Sequence, residues 1–234
     1  MHWSKGTLLG RSYVWALAVL AAAGLPAAVA QAPPAPAARF VVVLDAAHGG
    51  SDPGARLASG QVEKAVTLAV SVRLRSLLAA RGIAVVTTRE SDAAVELNKR
   101  AEIANHANAQ ACLSLHATES GSGVHLFVSS LAPAPAARFT AWETAQAAAV
   151  TRSLALAGVL NSALLQTSTN VTLGRTALLA VDSMTCPAVA VEIAPERGPG
   201  GQVIAEPDNV DYQTRIAAAL AAAVLEWRTE AHQP

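Results

Sequence analysis

Val41-Val42-Val43-Leu44-Asp45-Ala46-Ala47-His48-Gly49-Gly50 is the stretch that decides the fold. Residues 40–45 form a short apolar run, largely β-branched, that ends on an acid and breaks into a glycine turn. Such a run fits a strand buried on both faces of a parallel sheet. The turn places His48 just past the carboxyl end of that strand, where open α/β sheets carry their sites.

The same logic extends along the chain. Residues 63–80 carry apolar side chains at Val66, Leu68, Ala69, Val72, Leu74, Leu77 and Leu78, an amphipathic helix that Arg81-Gly82 stops. Residues 83–88 read as the next strand. Residues 95–107 read as a helix with Leu97, Ala101, Ile103 and Ala104 inward. Strands are expected at 111–115 and 124–128, and Pro133 and Pro135 mark a loop. Residues 141–165 predict a long helix broken near Gly158, and 177–181 a short strand. Residues 189–193 form a strong strand, and 211–228 a closing helix. The alternation predicts an α/β fold: a single domain with a mostly parallel twisted sheet of about five or six strands, flanked by helices.

The first residues belong to no such pattern. Lys5 and Arg11 precede an apolar run from Val14 to Ala23, and Ala28-Val29-Ala30 follows. That order is a secretory signal over residues 1–30, with retention as an N-terminal anchor the alternative. The run is short and alanine-rich for a membrane span, so no stable membrane insertion is expected once it is cleaved. Residues 31–39, rich in Pro and Ala, read as a stiff linker, which leaves 40–230 as the domain. Of 17 basic and 17 acidic residues, removal of Lys5 and Arg11 leaves 15 against 17. With no long basic run, nucleic acid is not an expected partner. Cys112 and Cys186 each begin or precede a strand-like run. Two buried thiols are the plain reading, with a disulfide open to an exported protein.

Chemistry gathers on three residues. His48 lies in the first turn, Glu63 opens the next helix, and His116 closes a later strand in Cys112-Leu113-Ser114-Leu115-His116. Two imidazoles and a carboxylate suit zinc, with a coordination position left for water. Each residue alone has an ordinary explanation: a turn histidine, a helix-dipole acid, a solvated edge ring. Together they come from three element ends on one rim of one sheet. Asp45 is placed to accept from the other ring nitrogen of His48 or from the loop backbone, which would fix the tautomer. Glu192, in Pro187-Ala188-Val189-Ala190-Val191-Glu192, is a charge within an apolar run, costly unless it has a purpose. It is the candidate proton carrier, and a buried ion pair with Arg175 or Arg89 is its alternative role. Arg89 is accordingly a candidate for supporting the ligands or lining the cleft. His125 reads as core edge or cleft wall, Glu90 and Asp92 as cleft candidates, and His106, Glu96 and Glu102 as surface groups.

These pieces, taken in order, resemble the zinc-dependent N-acetylmuramoyl-L-alanine amidases of the amidase-3 type. The likeness runs through Val42 to Ala55, Glu63-Lys64, Val85 to Asp92, Arg100 to Asn105, Ser114-Leu115-His116-Ala117 and Cys186 to Glu192. The resemblance implies zinc ligands at His48, Glu63 and His116 and a catalytic glutamate at Glu192. It implies peptidoglycan as substrate, at the amide between the N-acetylmuramic lactyl group and L-alanine, and a periplasmic or secreted location. It also admits an activator protein, since some relatives carry a helix that plugs the site; residues 131–169 are the place for one here. A zinc peptidase or amidase on another N-acylated peptide, or a non-catalytic wall-binding domain, are the competing readings. The chain departs from the family at the rim. Ala46-Ala47 stands for Pro-Gly, which would strain Ala47 were it to take a positive φ. Thr118 stands for Asn, and Ile193-Ala194-Pro195 follows the glutamate.

Overall fold

The computed structural model describes residues 39–137 and 139–230, together with His2. The expected signal and nearly all of the linker lie outside the described residues. The first strand, β1 (Val41–Ala46), is buried along nearly its whole length. Helix α1 (Glu63–Ala79) returns the chain to β2 (Ala84–Thr87), and α2 (Leu97–His106) leads to β3 (Ala111–Ala117). Then come β4 (Val124–Ser129), a 3-10 segment (Trp142–Ala148), α3 (Val150–Leu165) and β5 (Val171–Thr176). A single turn of helix, α4 (Leu179–Asp182), precedes β6 (Ala188–Ile193). A small hairpin, β7 (Glu196–Arg197) with β8 (Val203–Ala205), leads to α5 (Val210–Glu230).

Six strands form one sheet in the order β2-β1-β3-β6-β4-β5. β2, β1, β3 and β6 are parallel, as the apolar runs predicted. β4 runs antiparallel to β6, and β5 parallel to β4. Because side chains alternate along a strand, Leu44, Leu113, Leu115, Val189, Val191 and Leu126 share one face. There they form a single core with Val66, Leu74, Leu156, Leu160, Ile216 and Leu220 of α1, α3 and α5. The opposite face carries Val43, Cys112 and Ala188 under Ala101, Ala104, Val181 and Met184. That second face also carries Asp45, Ser114, His116 and Glu192, so α2 and α4 cover only its lower part.

Four expectations are corrected. The 141–165 helix breaks at Ala149, between the 3-10 segment and α3, rather than at Gly158. Gln146 makes the break: its buried amide donates to the carbonyls of Met184 (2.8 Å) and Cys186 (3.0 Å), holding the segment against the entry to β6. Residues 177–178 are irregular and 179–181 belong to α4, while the strand lies earlier, at Val171–Thr176. That strand escaped notice because it is an edge, with Gly174 and Arg175 interrupting its pattern. The two cysteines are not free thiols; Cys112 and Cys186 are joined as a disulfide, with Cα atoms 6.1 Å apart. The bridge ties β3 to the segment entering β6. Finally, Ala47 has no positive φ; His48 itself sits in the left-handed region at φ 61°.

Candidate metal centre

Three element ends meet above the second face. The turn after β1 is closed by Gly49 and Asp52, whose backbones exchange hydrogen bonds of 2.9 and 3.2 Å. A left-handed conformation costs a non-glycine residue roughly 1–2 kcal/mol, so something must hold His48 in it. Two buried guanidiniums do so. Arg100 donates to the carbonyls of Ala46 and His48 (both 2.7 Å). Arg89 donates to those of Ala46 (2.8 Å) and Ala47 (3.0 Å). Three consecutive carbonyls are thus captured by the two side chains.

Glu63 begins α1 with its backbone amide on the Ala55 carbonyl. Its carboxylate is buried, and Oε2 accepts from the Ala55 amide at 2.9 Å. His48 Nε2 lies 3.1 Å from Oε2, and His116 Nδ1 lies 2.9 Å from Oε1. One donor atom from each residue lies within 4.8 Å of the others. The rings stand nearly perpendicular, 5.8 Å between centroids. Gly54 makes room for this approach: its φ is 66°, and a Cβ there would stand 2.6 Å from both Glu63 Oε2 and His48 Cδ2.

The electrostatics match the donor set. Burial pushes the Glu63 carboxyl upward, but hydrogen bonds from His116, His48 and the Ala55 amide outweigh it and hold the group well below its ordinary range. His48 is raised above 6.5, chiefly by Glu63 and, against the opposing effect of burial, by Asp52 as well. The remaining ring nitrogens are also spoken for. His48 Nδ1 meets Asp52 Oδ2 at 2.7 Å, and His116 Nε2 lies 3.4 Å from Ser114 Oγ. With those outer nitrogens engaged, Nε2 of His48 and Nδ1 of His116, which here donate to Glu63, are the atoms that would give up their protons and turn lone pairs to a bound ion. Two nitrogens and a carboxylate oxygen, converging with their tautomers fixed, fit a divalent ion of the zinc type.

Asp45 does not reach His48, contrary to the sequence expectation; Asp52 does. Asp45, 1% exposed, instead accepts from Thr88 Oγ1 (2.7 Å), Arg100 Nη1 (2.7 Å) and Ser114 Oγ (2.8 Å). It therefore supports His116 through Ser114. Arg89 makes no ion pair with Glu192. Besides the turn carbonyls it donates to the Lys64 carbonyl (2.7 Å) and to Thr67 Oγ1, linking the His48 turn to the start of α1. Burial and the neighbouring Arg100 push its pKa down. Asp92 latches the turn from outside, accepting from the Gly50 amide and from Lys64 Nζ, both at 2.7 Å. Glu90 pairs with Arg75, and His106 is exposed.

Glu192 sits directly across from His116 in the β3–β6 register, so both side chains leave the sheet on the same face. Adjacent strands are about 4.8 Å apart, which puts Glu192 one strand from the cluster. It is not the buried charge that its apolar run suggested, since its side chain is 31% exposed. The apolar Val189 and Val191 point to the other face. Neither Arg175 nor Arg89 pairs with it; Oε2 meets His125 Nδ1 at 2.9 Å. Sequence reading missed Asp52, Arg100 and Ser114 as supports. Only the spacing of Asp52 four residues past His48, inside a glycine-rich turn, offered a signal. A cleft of about 250 Å³ opens beside the cluster, walled by His48, Ser114, His116, Leu97 and Ala180.

Together these features define an α/β domain with a His/Glu/His cluster that could hold a metal ion at the carboxyl rim of its parallel strands. The sequence profile described as N-acetylmuramoyl-L-alanine amidase matches residues 42–226. The chain belongs to that family. Its relatives include the amidase AmiA of Escherichia coli strain K12, 44% identical over 77 residues, or 33% of this chain and 27% of AmiA. The chain spans about a quarter to a third of the length of curated relatives that it matches. Among solved structures, the catalytic domain of CwlV, an N-acetylmuramoyl-L-alanine amidase from Bacillus (Paenibacillus) polymyxa, superposes with a TM-score of 0.64 at 26% identity. That match covers 81% of this chain and 98% of CwlV's domain. The CwlD amidase of Clostridioides difficile, solved in complex with the GerS lipoprotein, shares the fold at 20% identity and a TM-score of 0.61. It covers 82% of this chain and all of CwlD's.

Proposed function

We propose that this chain hydrolyses the amide between the lactyl group of N-acetylmuramic acid and L-alanine in peptidoglycan, with zinc held by His48, Glu63 and His116. The observation that carries this reading is the convergence of the three donors one strand away from Glu192, in a member of the amidase family. A zinc ion bound there supplies Lewis-acid polarisation of the scissile carbonyl and water activation. The protein supplies the rest. Asp52 and Ser114 fix the ring tautomers. Glu192, with Oε2 engaged by His125, uses Oε1 to take a proton from the attacking water and to deliver it to the departing alanine nitrogen.

The N-terminal signal pattern supports a periplasmic or secreted location, and the Cys112–Cys186 disulfide agrees with an oxidising compartment. A protein activator is a natural partner, given the lipoprotein bound to CwlD. Within residues 131–169, α3 packs on the sheet face opposite the metal cluster, whereas the 3-10 segment lies against the entry to β6 and is the part to examine for a plug.

Digestion of purified sacculi tests the reading. New L-alanine amino termini and free lactyl groups are expected. Glu192→Ala should keep one zinc per chain and lose about 100-fold or more of turnover, while His116→Ala should lose the metal. Unchanged turnover in Glu192→Ala, or full zinc in His116→Ala, contradicts the assignment.

A further inference from the structure

We propose that His125 is the positioning residue of Glu192: it donates from Nδ1 to Oε2 and holds the carboxylate in one orientation, with Oε1 turned to the reacting amide. The proposal rests on the hydrolytic reading above and assigns a task to a residue outside the metal cluster. Several observations support it. His125 and Glu192 are direct partners in the antiparallel β4–β6 register, so the ring and the carboxylate leave the sheet side by side. Nδ1 and Oε2 lie 2.9 Å apart. An ionised carboxylate only accepts, so the proton must be on Nδ1.

The ring is also seated. Gly121 lies against its far edge, where any Cβ would run into Cε1 and Nε2, and the φ of Gly121 is 83°. The Phe127 ring packs against that of His125 in a T-shaped arrangement, with centroids 6.3 Å apart. Gly121 is itself fixed, since its carbonyl accepts from Arg197 Nε at 3.0 Å. Arg197 lies in β7, just beyond the strand that carries Glu192. The seat is therefore tied to β6, and ring and carboxylate stay in register with each other. His125 is only 16% exposed, whereas Glu192 is 31% exposed. Ring enclosed and acid open is the disposition expected when one group orients and the other meets substrate. Among the described residues, His125 is the one side chain hydrogen-bonded to Glu192.

The test separates this role from the hydrolysis itself. In histidine-labelled protein, nitrogen NMR should show His125 protonated at Nδ1, with that signal moving in Glu192→Ala. A wild-type His125 protonated at Nε2 alone overturns the proposal whatever the activity. On muropeptides, His125→Leu should lose about 100-fold in kcat, the scale of a misplaced catalytic group, with KM and zinc content little changed. His125→Asn, whose Nδ2 occupies the place of the ring Nδ1, should recover most of that loss. Wild-type kcat in a folded His125→Leu protein, or no recovery in His125→Asn, refutes the proposal. If His125→Leu does not fold, His125→Asn and the NMR tautomer decide. A wild type that releases no L-alanine termini removes the proposed function instead, and the NMR result still decides whether His125 orients Glu192.

Discussion

Replacing Asp45 with alanine should unsettle both the fold and the metal. Asp45 is 1% exposed and Arg100 3%. Their contact is 2.7 Å. Removing one member of a buried ion pair costs about 3–5 kcal/mol, because the other charge is left without its counter-ion. Thr88 and Ser114 also lose their acceptor, at about 1 kcal/mol each. Arg100 keeps its bonds to the carbonyls of Val95, Ala46 and His48, which limits the damage. A net loss of about 4 kcal/mol follows, and for a domain of this size that lowers Tm by about 8–16 °C. The Ser114–His116 arm loosens with it, so zinc affinity should fall about 10- to 100-fold. Thermal unfolding followed by circular dichroism, with and without chelator, reads the first effect; competition with a chromophoric chelator reads the second. A variant melting within about 2 °C of the parent would refute the buried-pair argument. One that melts low yet binds zinc as before would refute the link from Asp45 to His116.

Asp52→Ala should weaken zinc about 10- to 100-fold with little change in Tm, because Asp52 is largely exposed and its carboxylate holds only the His48 ring and the Gly54 amide; equal affinity by competition titration contradicts this. Gly54→Ala should abolish metal loading, since its Cβ enters the space of Glu63 and His48; a fully loaded variant by metal analysis would show that the turn can move aside. Replacing Cys112 and Cys186 together by alanine should cost about 4 kcal/mol, for a loop of 74 residues in the chain-entropy view, read as a drop in the denaturation midpoint that reducing agent reproduces in the parent. In metal-free protein, the raised His48 contributes stability that is full below pH 6.5 and is lost as pH rises through its folded value. The lowered Glu63 contributes above about pH 4.5 and fades as pH falls through its own. Tm of chelated protein should therefore gain most from this cluster between pH 4.5 and 6.5, and His48→Ala should remove the alkaline side of that dependence; an unchanged profile argues against the pairing.

The parallel core was legible because β1, β3 and β6 are buried on both faces, and burial of that kind leaves continuous apolar runs. The convergence of His48, Glu63 and His116 was legible because each falls at an element end, next to a run that could be read. The edge strand β5 was not, since only one side of it packs and its pattern is broken at Gly174. The supports of the site were less visible still. Asp45 and Ser114 lie 69 residues apart and meet only through strand pairing, and no local pattern reports such a pairing. The same holds for Glu192 and His125. The charge in the apolar run was noticed for the wrong reason, since alternation turns it outward, away from the core its neighbours occupy.

The position of β6 carries a further consequence for how the chain comes to act. It is the last strand of the sheet to be synthesised, yet it is wedged between β3 and β4. Until it arrives, two inner edges stay open, His116 has no neighbour bearing Glu192, and Cys112 has no mate. A growing chain thus remains an incomplete sheet until about residue 193 has emerged. Pairing across such sequence separations is slow relative to local helix formation. Glu192 and the Cys112–Cys186 tie are thus the last parts of this rim to be set in place, after His48, Glu63 and His116.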